Sequence, residues 1–479
     1  MTTPEDHEPT GATGVADPPA GGPAPEERGL RDVHLRADFI EQIRDVIDAA
    51  DRERLKDLVQ PLHSADIADL FEVLSASERR ALARLVGDAL EPEVLSDLSP
   101  AALEDVLEAM PPKAVAEAVQ QLETDDAIYV LEDMDEAAQH EVLRRLAKEE
   151  RAAVEEGLAY PEDSAGRLMQ RDLIAVPEFW TIGQTIDYLR AQEEDEVPAD
   201  FYELIVVDPA YRPIGSVPLS RVLRCRRHIR IRDVMNPRPH IVHVATDQEE
   251  VAREFAKYHL ISAAVVDDSG RLVGVITVDD VVDVIEEEAE EDILALAGVS
   301  EGDVNIGIFE VSRARFIWLI VNLGTAILAS LVIGLFDATI KQMVALAVLM
   351  PIVASMGGNA GTQTMTVAVR ALATKELSAA NAARIIAKEL TVSVINGALL
   401  AIVVALTALA WFHDIGLAAV IAVAMVINII AAGLSGILIP MALDRLGIDP
   451  AIASSVFVTT VTDVIGFFAF LGLAAAFLL

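Results

Sequence analysis

The chain has 479 residues, 37 of them Lys or Arg and 76 Asp or Glu, yet 52% are apolar and the mean hydropathy is +0.38. Residues 313–479 hold 8 basic and 7 acidic side chains, net +1, which leaves 29 and 69 upstream, net −40, so charge and apolarity occupy different parts of the chain. That excess of carboxylate repels phosphate backbones and anionic headgroups and so excludes nucleic-acid binding, while the single Cys225 excludes an intramolecular disulfide framework or a Cys-rich zinc site and fits a reducing compartment.

Residues 1–29 are rich in Pro, Gly and acids, with no apolar run to bury, and read as a disordered acidic tail; no basic n-region and h-region mark a secretory signal. Residues 30–157 are helical in period. LHSADIADLFEVLS from Leu62, LSPAALEDVLEAMP from Leu98 and LETDDAIYVLEDMD from Leu122 each set a polar cap before an apolar stripe, as in short helices stacked into an α-solenoid.

A second repeat follows. RLMQRDLIAVPEFWTIGQTIDYLR and YELIVVDPAYRPIGSVPLSRVL run parallel to DVMNPRPHIVHVATDQEEVAREFAKY and SAAVVDDSGRLVGVITVDDVV. Each copy, 158–226 and 227–288, reads as strand, helix, strand, turn, strand and helix, giving two α/β units packed on each other. IEEEAEEDILALAGV opens a strongly acidic connecting helix, 289–312.

Residues 313–479 carry five apolar stretches, roughly 316–336, 340–368, 385–412, 415–443 and 451–479, each long enough to cross about 30 Å of hydrocarbon. Arg313, Arg315, Arg370, Lys375, Arg384, Lys388 and Arg445 flank one side and Lys341 the other. This bias places the soluble part in the cytoplasm and the C-terminus outside.

Asp463 lies inside VFVTTVTDVIGFFAF, where a carboxylate costs several kcal/mol and must face a cavity or a partner. Thr459, Thr460 and Thr462 could line a wet path beside it. In PIVASMGGNAGTQTMT, Gly357, Gly358, Asn359, Gly361, Thr362, Gln363 and Thr364 interrupt the second span. Carbonyl and amide oxygens there suit a hard or hydrated cation, whereas the glycines alone would equally suit close helix packing. Asn396 and Asn428 read as interhelical hydrogen bonds rather than ligands.

PIVASMGGNAGTQ, DPAIASSVFVTTVTDV, YPEDSAGRLM from Tyr160, the tandem α/β repeats and the helical amino-terminal region together resemble the MgtE family of magnesium channels and transporters, over roughly Leu30 to the C-terminus. The resemblance implies a multidomain chain: a cytosolic α-solenoid, a tandem CBS (α/β) pair, an acidic connecting helix that plugs the pore, and a five-helix transmembrane domain in the plasma membrane. It implies a homodimer with a central Mg²⁺ pore, in which Asp463 of both subunits holds hydrated Mg²⁺ near Asn359, Gly358 and Thr459. The cytosolic Mg²⁺-bridging acids carried over are Asp125, Asp126, Asp247, Glu249, Asp280, Asp283, Glu288, Glu291 and Asp292. This chain has Ser455-Val456 where the family often has Gly-Pro or Asn-Pro, and His259 where it often has an acid.

Thr277 and Asp280 in VITVDD form the Thr-x-x-Asp arrangement that contacts nucleotides in some CBS pairs, which implies ATP as a regulator. No Walker A loop or aspartyl-phosphate motif is present, so the expectation is a passive path and not an enzyme. Two alternatives remain: a transporter of another divalent ion such as Co²⁺ or Mn²⁺, and a nucleotide sensor merely anchored by its spans. Costly polar groups within the spans argue against an anchor.

Overall fold

The computed structural model describes residues 36–132, 134–192, 198, 201–297, 299, 308–378 and 380–478, and the tail 1–29 lies outside them. Among the described residues nine short helices come first: α1 (Ala37–Asp48), α2 (Arg52–Val59), α3 (Ser64–Val73), α4 (Ala76–Val86), α5 (Pro100–Ala109), α6 (Pro112–Val119), α7 (Thr124–Glu132), α8 (Glu136–Leu143) and α9 (Lys148–Gly157). Their starts are specified locally. Asp51 caps α2 and Asp135 caps α8, Ser75 and Glu78 form a capping box on α4, and prolines occupy the first turns of α5 and α6.

None of these helices could bury its apolar stripe alone. Stacked on neighbours one or two places along, α4 on α5, α6 on α8 and α7 on α9, they share one core running from Ile43 to Val154. Arg79, 3% exposed, ties three of them together: its Nε donates to Phe71 O at 2.9 Å and its Nη1 to Asp105 at 3.1 Å.

After α10 (Ala165–Leu168) come two copies of one motif. The first is β1 (Ala175–Pro177), α11 (Ile182–Ala191), β2 (Glu203–Val207), β3 (Pro213–Pro218) and α12 (Leu219–Arg224). Helix α13 (Ile231–Val234) then leads into β4 (Ile241–His243), α14 (Gln248–Tyr258), β5 (Ser262–Val266), β6 (Leu272–Thr277) and α15 (Val278–Ala297). The repeat holds down to register. In each three-stranded sheet the first pair is parallel and the second antiparallel, with a bulge at Val206/Val207 in one and Val265/Val266 in the other.

The two copies exchange their leading segments. Gln170 bridges Val275 of the second sheet, and Asn236 bridges Ser216 of the first. Ala165 and Met169 lie in the second copy's core, and Ile231 in the first's.

The remaining helices are α16 (Ile308–Gly334), the short α17 (Asp337–Gln342), α18 (Ala345–Ala373), α19 (Ala382–Phe412), α20 (Ile415–Arg445) and α21 (Pro450–Phe477). Five of them, all but α17, are long and apolar enough to cross a membrane. Helices α18, α20 and α21 pack on one another, α19 packs on α20, and α16 lies against α21. Close approach needs small residues: a Cβ on Gly436 of α20 would stand 2.7 Å from Gly361 O of α18.

Candidate cation sites

Helices α18 and α21 run antiparallel, and their glycines fix the relative height. A Cβ on Gly361 would touch Val458 and Thr462, while Gly357, one turn earlier, and Gly466, one turn later, both abut Asn428 of α20. Asp463 falls between Thr462 and Gly466, so it stands level with Gly358 and Asn359. Asp463 is half-buried and Asn359 exposed.

Level does not mean facing. On an ideal helix Asn359 points about 200° away from Gly357 and Gly361, which lie against α20 and α21. Asn359 instead heads an exposed polar row with Thr362, Gln363 and Thr366 at helical spacing. One chain therefore does not bring Asn359 onto Asp463. Gly358 borders open space, with nothing within 4 Å of a Cβ built on it. Thr459 bonds its own helix, Oγ1 lying 2.9 Å from Ser455 O and 3.1 Å from Val456 O.

A second region lies where the helical stack meets the second α/β copy. Asp125 and Asp126 open α7, and Asp280 stands in the first turn of α15, where it accepts from Thr277 Oγ1 at 2.7 Å. Burial, then the charge of Asp280, pushes the Asp126 carboxyl up to about 7. The same two causes raise Asp125 well above the ordinary carboxylate range and bring Glu123 to about 7. Asp280 is itself raised to about 6, mainly by burial. Asp125 Oδ1 is buried with no hydrogen-bond partner among the described residues. Burial and then the charge of Asp97 raise Asp283.

The third region joins α14, α15 and the membrane helices. Asp247 caps α14 by accepting from Glu249 N at 3.0 Å, and Gln248 Nε2 donates to Glu288 Oε1 at 3.0 Å. Burial raises Glu288 to about 7, with Glu291, Glu249 and Asp247 adding repulsion. Burial also raises Glu249, and it raises Asp292, which in addition feels Asp449 at the head of α21. Glu291 is exposed. At the end of α15, Ala295 and Leu296 join a buried apolar cluster with Met365 and Val369 of α18 and Ala451 and Val458 of α21.

Among the described residues no three His, Cys, Asp or Glu side chains converge as a ready metal site. The acids are close enough to repel without enclosing an ion, an arrangement open to a cation that keeps its own water. Glu123, Asp97 and Asp449 also belong to these regions, without a motif of their own to single them out. Glu123 immediately precedes the flagged DD pair, while Asp97 and Asp449 become neighbours of the flagged acids only through packing. Glu389 on α19 likewise stands out only in the fold, where it accepts from Thr364 Oγ1 at 3.5 Å.

Comparison with known proteins agrees with this layout. Residues 350–473 match the model of the MgtE divalent cation transporter family, residues 62–163 the MgtE intracellular N domain, and residues 231–287 the CBS domain. The magnesium transporter MgtE of Thermus thermophilus is 33% identical over 438 residues, which cover 90% of this chain and 97% of that one. The magnesium transporter MgtE of Bacillus subtilis is 29% identical over 426 residues, 88% of this chain and 94% of its own. Among solved structures, the cytosolic domain of the Mg²⁺ channel MgtE in complex with ATP is 33% identical and covers 51% of this chain and 99% of its own, with a TM-score of 0.47. With its helical stack, its CBS repeats and five membrane helices in one chain, this protein belongs to the MgtE family of magnesium transporters.

Proposed function

We propose that the chain forms a Mg²⁺-selective channel in the plasma membrane, with two copies enclosing a passive path and the cytosolic part closing it when internal Mg²⁺ is high. The observation that carries this reading is the exposed row Asn359, Thr362, Gln363 and Thr366 on α18, level with the half-buried Asp463 of the neighbouring α21. Lipid cannot satisfy such a row, so it must face water or protein. Pairing two chains along it supplies a polar lumen with two Asp463 carboxylates. Asn359, Gly358 and Thr459 contribute oxygens to waters that the ion retains, because Mg²⁺ dehydrates reluctantly.

No pump is required for influx. Two charges moving down an inside-negative potential gain about 4.6 kcal/mol per 100 mV, given the orientation with the 313–479 domain's basic flanks and the N-terminal domains inside and the C-terminus outside.

Closure is assigned to the acids. Emptied of cations, Asp125, Asp126, Asp280 and Asp283 repel across the helical domain (30–157) and the second CBS repeat (227–288). Asp247, Glu249, Glu288, Glu291 and Asp292 do the same around the connecting helix. Bound Mg²⁺ bridges them and favours the arrangement in which Ala295 and Leu296 pack on α18 and α21. The connecting segment 289–312 then acts as the plug.

ATP enters as a regulator through the cleft between the CBS repeats (158–226 and 227–288). Thr277 and Asp280 keep the arrangement that contacts a ribose, and Phe201 and Tyr202 offer aromatic surface to a base. The cleft encloses about 30 Å³ and has to open to admit a nucleotide. A bound triphosphate supplies further anionic oxygens for Mg²⁺.

Oxygen-only ligands also admit a second reading, transport of Co²⁺ or Mn²⁺. Patch recording on proteoliposomes with Mg²⁺ varied on the cytosolic face separates the possibilities. The proposal expects Mg²⁺ current that falls as cytosolic Mg²⁺ rises and vanishes in Asp463→Ala. Equal currents of Co²⁺, or a current indifferent to Asp463, would overturn it.

A further inference from the structure

We propose that Asn428 is a positioning residue for cation passage, its carboxamide setting the spacing between α18 and α21. The inference rests on the reading of those two helices as the path. Asn428 lies midway along α20 and is 0% exposed. Its Nδ2 donates to Val353 O of α18 at 2.8 Å. Its Oδ1 is buried and has no hydrogen-bond partner among the described residues.

The amide occupies a slot made by two glycines. A Cβ on Gly357 would come within 2.2 Å of Asn428 Nδ2, and one on Gly466 within 2.7 Å. Gly357 stands one residue before Gly358 and two before Asn359, while Gly466 lies one turn beyond Asp463. The same flat group thus touches both helices at the height of the proposed ion site.

Stability is a poor explanation for an amide here. A buried oxygen left unpaired loses its hydration without recompense. Val353 O, as a helix carbonyl, keeps the N–H of Gly357 as a partner whether or not Asn428 is present. An apolar side chain of similar volume would avoid the unpaired oxygen but, being branched in three dimensions, would not fit flat between two glycines. Shape is therefore what the residue contributes. Because Mg²⁺ and its waters demand near-octahedral geometry, the α18–α21 spacing bears on which ion passes as well as how fast.

The test uses the full chain in liposomes, with initial Mg²⁺ and Co²⁺ influx and thermal unfolding in detergent measured for Asn428→Leu, Gly466→Ala and Asp463→Ala. Asn428→Leu, which the slot admits only by parting α18 and α21, is expected to unfold at a lower temperature and to pass Mg²⁺ about tenfold more slowly or worse, the scale on which misplacement of positioned groups by about an ångström acts. The Mg²⁺/Co²⁺ influx ratio shifts as well, and Gly466→Ala shifts it in the same direction. Wild-type influx and ratio in Asn428→Leu, or destabilisation with an unchanged ratio, would reduce Asn428 to ordinary packing. Should the Leu variant not fold, Gly466→Ala decides, and an unchanged ratio there overturns the proposal. Normal influx in Asp463→Ala would instead overturn the reading of the path itself.

Discussion

Asp292 on the acidic helix α15 stands close to Asp449 at the head of α21: burial raises the Asp292 carboxyl, and the charge of Asp449 raises it further. Two like charges thus meet where the cytosolic part touches the membrane helices, beside the apolar seat of Ala295 and Leu296. Like charges in partial burial repel unless a cation or a proton intervenes.

Neutralising this contact should uncouple closure from Mg²⁺. The triple variant Glu288→Gln, Glu291→Gln, Asp292→Asn is expected to stay conducting at high cytosolic Mg²⁺, and Asp292→Asn alone to flatten the Mg²⁺ dependence. Channel recordings with cytosolic Mg²⁺ stepped through the millimolar range read both, and unchanged inhibition in the triple variant would mark the run as a solvated face.

The acids between the helical stack and α15 give a pH dependence with a definite sign. Burial, then the charge of Asp280 on α15, raises Glu123 and Asp126 to about 7, so in the packed arrangement they hold protons that the separated domains would release. Stability of that packing is then fully present at acid pH and is lost as pH rises from about 4.5 to about 7, by on the order of a few kcal/mol. Limited proteolysis in chelator should be slow near pH 5 and faster near pH 8, and millimolar Mg²⁺ should remove the difference. A rate indifferent to pH would show that these carboxylates do not oppose domain packing.

The exchanged segments of the CBS pair predict matched stability losses. A Cβ on Gly215 would stand 2.8 Å from Asn236 O, and one on Gly274 would stand 2.9 Å from Gln170 O. Both contacts are with backbone, which cannot swing aside. Gly215→Ala and Gly274→Ala should each lower cytosolic-domain stability by about 1–3 kcal/mol in denaturant unfolding. Loss in only one of the two would break the symmetry inferred from the registers.

The polar row on α18 predicts a selective loss of transport. Asn359→Leu and Gln363→Leu replace amides with groups that lipid tolerates, so each should be inserted and folded normally yet conduct poorly, with Mg²⁺ influx into liposomes down about tenfold or more. Full influx in both would place that face against lipid or protein rather than water.

Much of the architecture is legible in local pattern. The five spans follow from apolar length, and the three helical units at Leu62, Leu98 and Leu122 became α3, α5 and α7 because each carries its own apolar stripe, His63 capping α3 while Ser99 ahead of α5 makes no side-chain cap bond. The duplicated α/β motif is written twice in the residues that form its strands. What could not be read is what packing alone creates. Nothing near Gln170 announces that it bridges Val275; Asn428 makes the interhelical hydrogen bond its sequence position suggests, to Val353 O of α18, but the two glycines from different helices that close on it are set by packing. Asp97 gains its significance only from a helix that arrives from far along the chain. The candidate ion site shows the same divide: Asp463 and GGNAGTQ stand out individually, but their common height depends on the antiparallel docking of α18 and α21.

The crossing of Gln170 to Val275 and of Asn236 to Ser216 makes each CBS copy the finishing piece of its sister. Deleting either would leave the survivor with an unclosed sheet and an open core, so the duplication is retained or discarded as a whole. The helices leaving the two copies, α12 and α15, therefore ride on one shared frame.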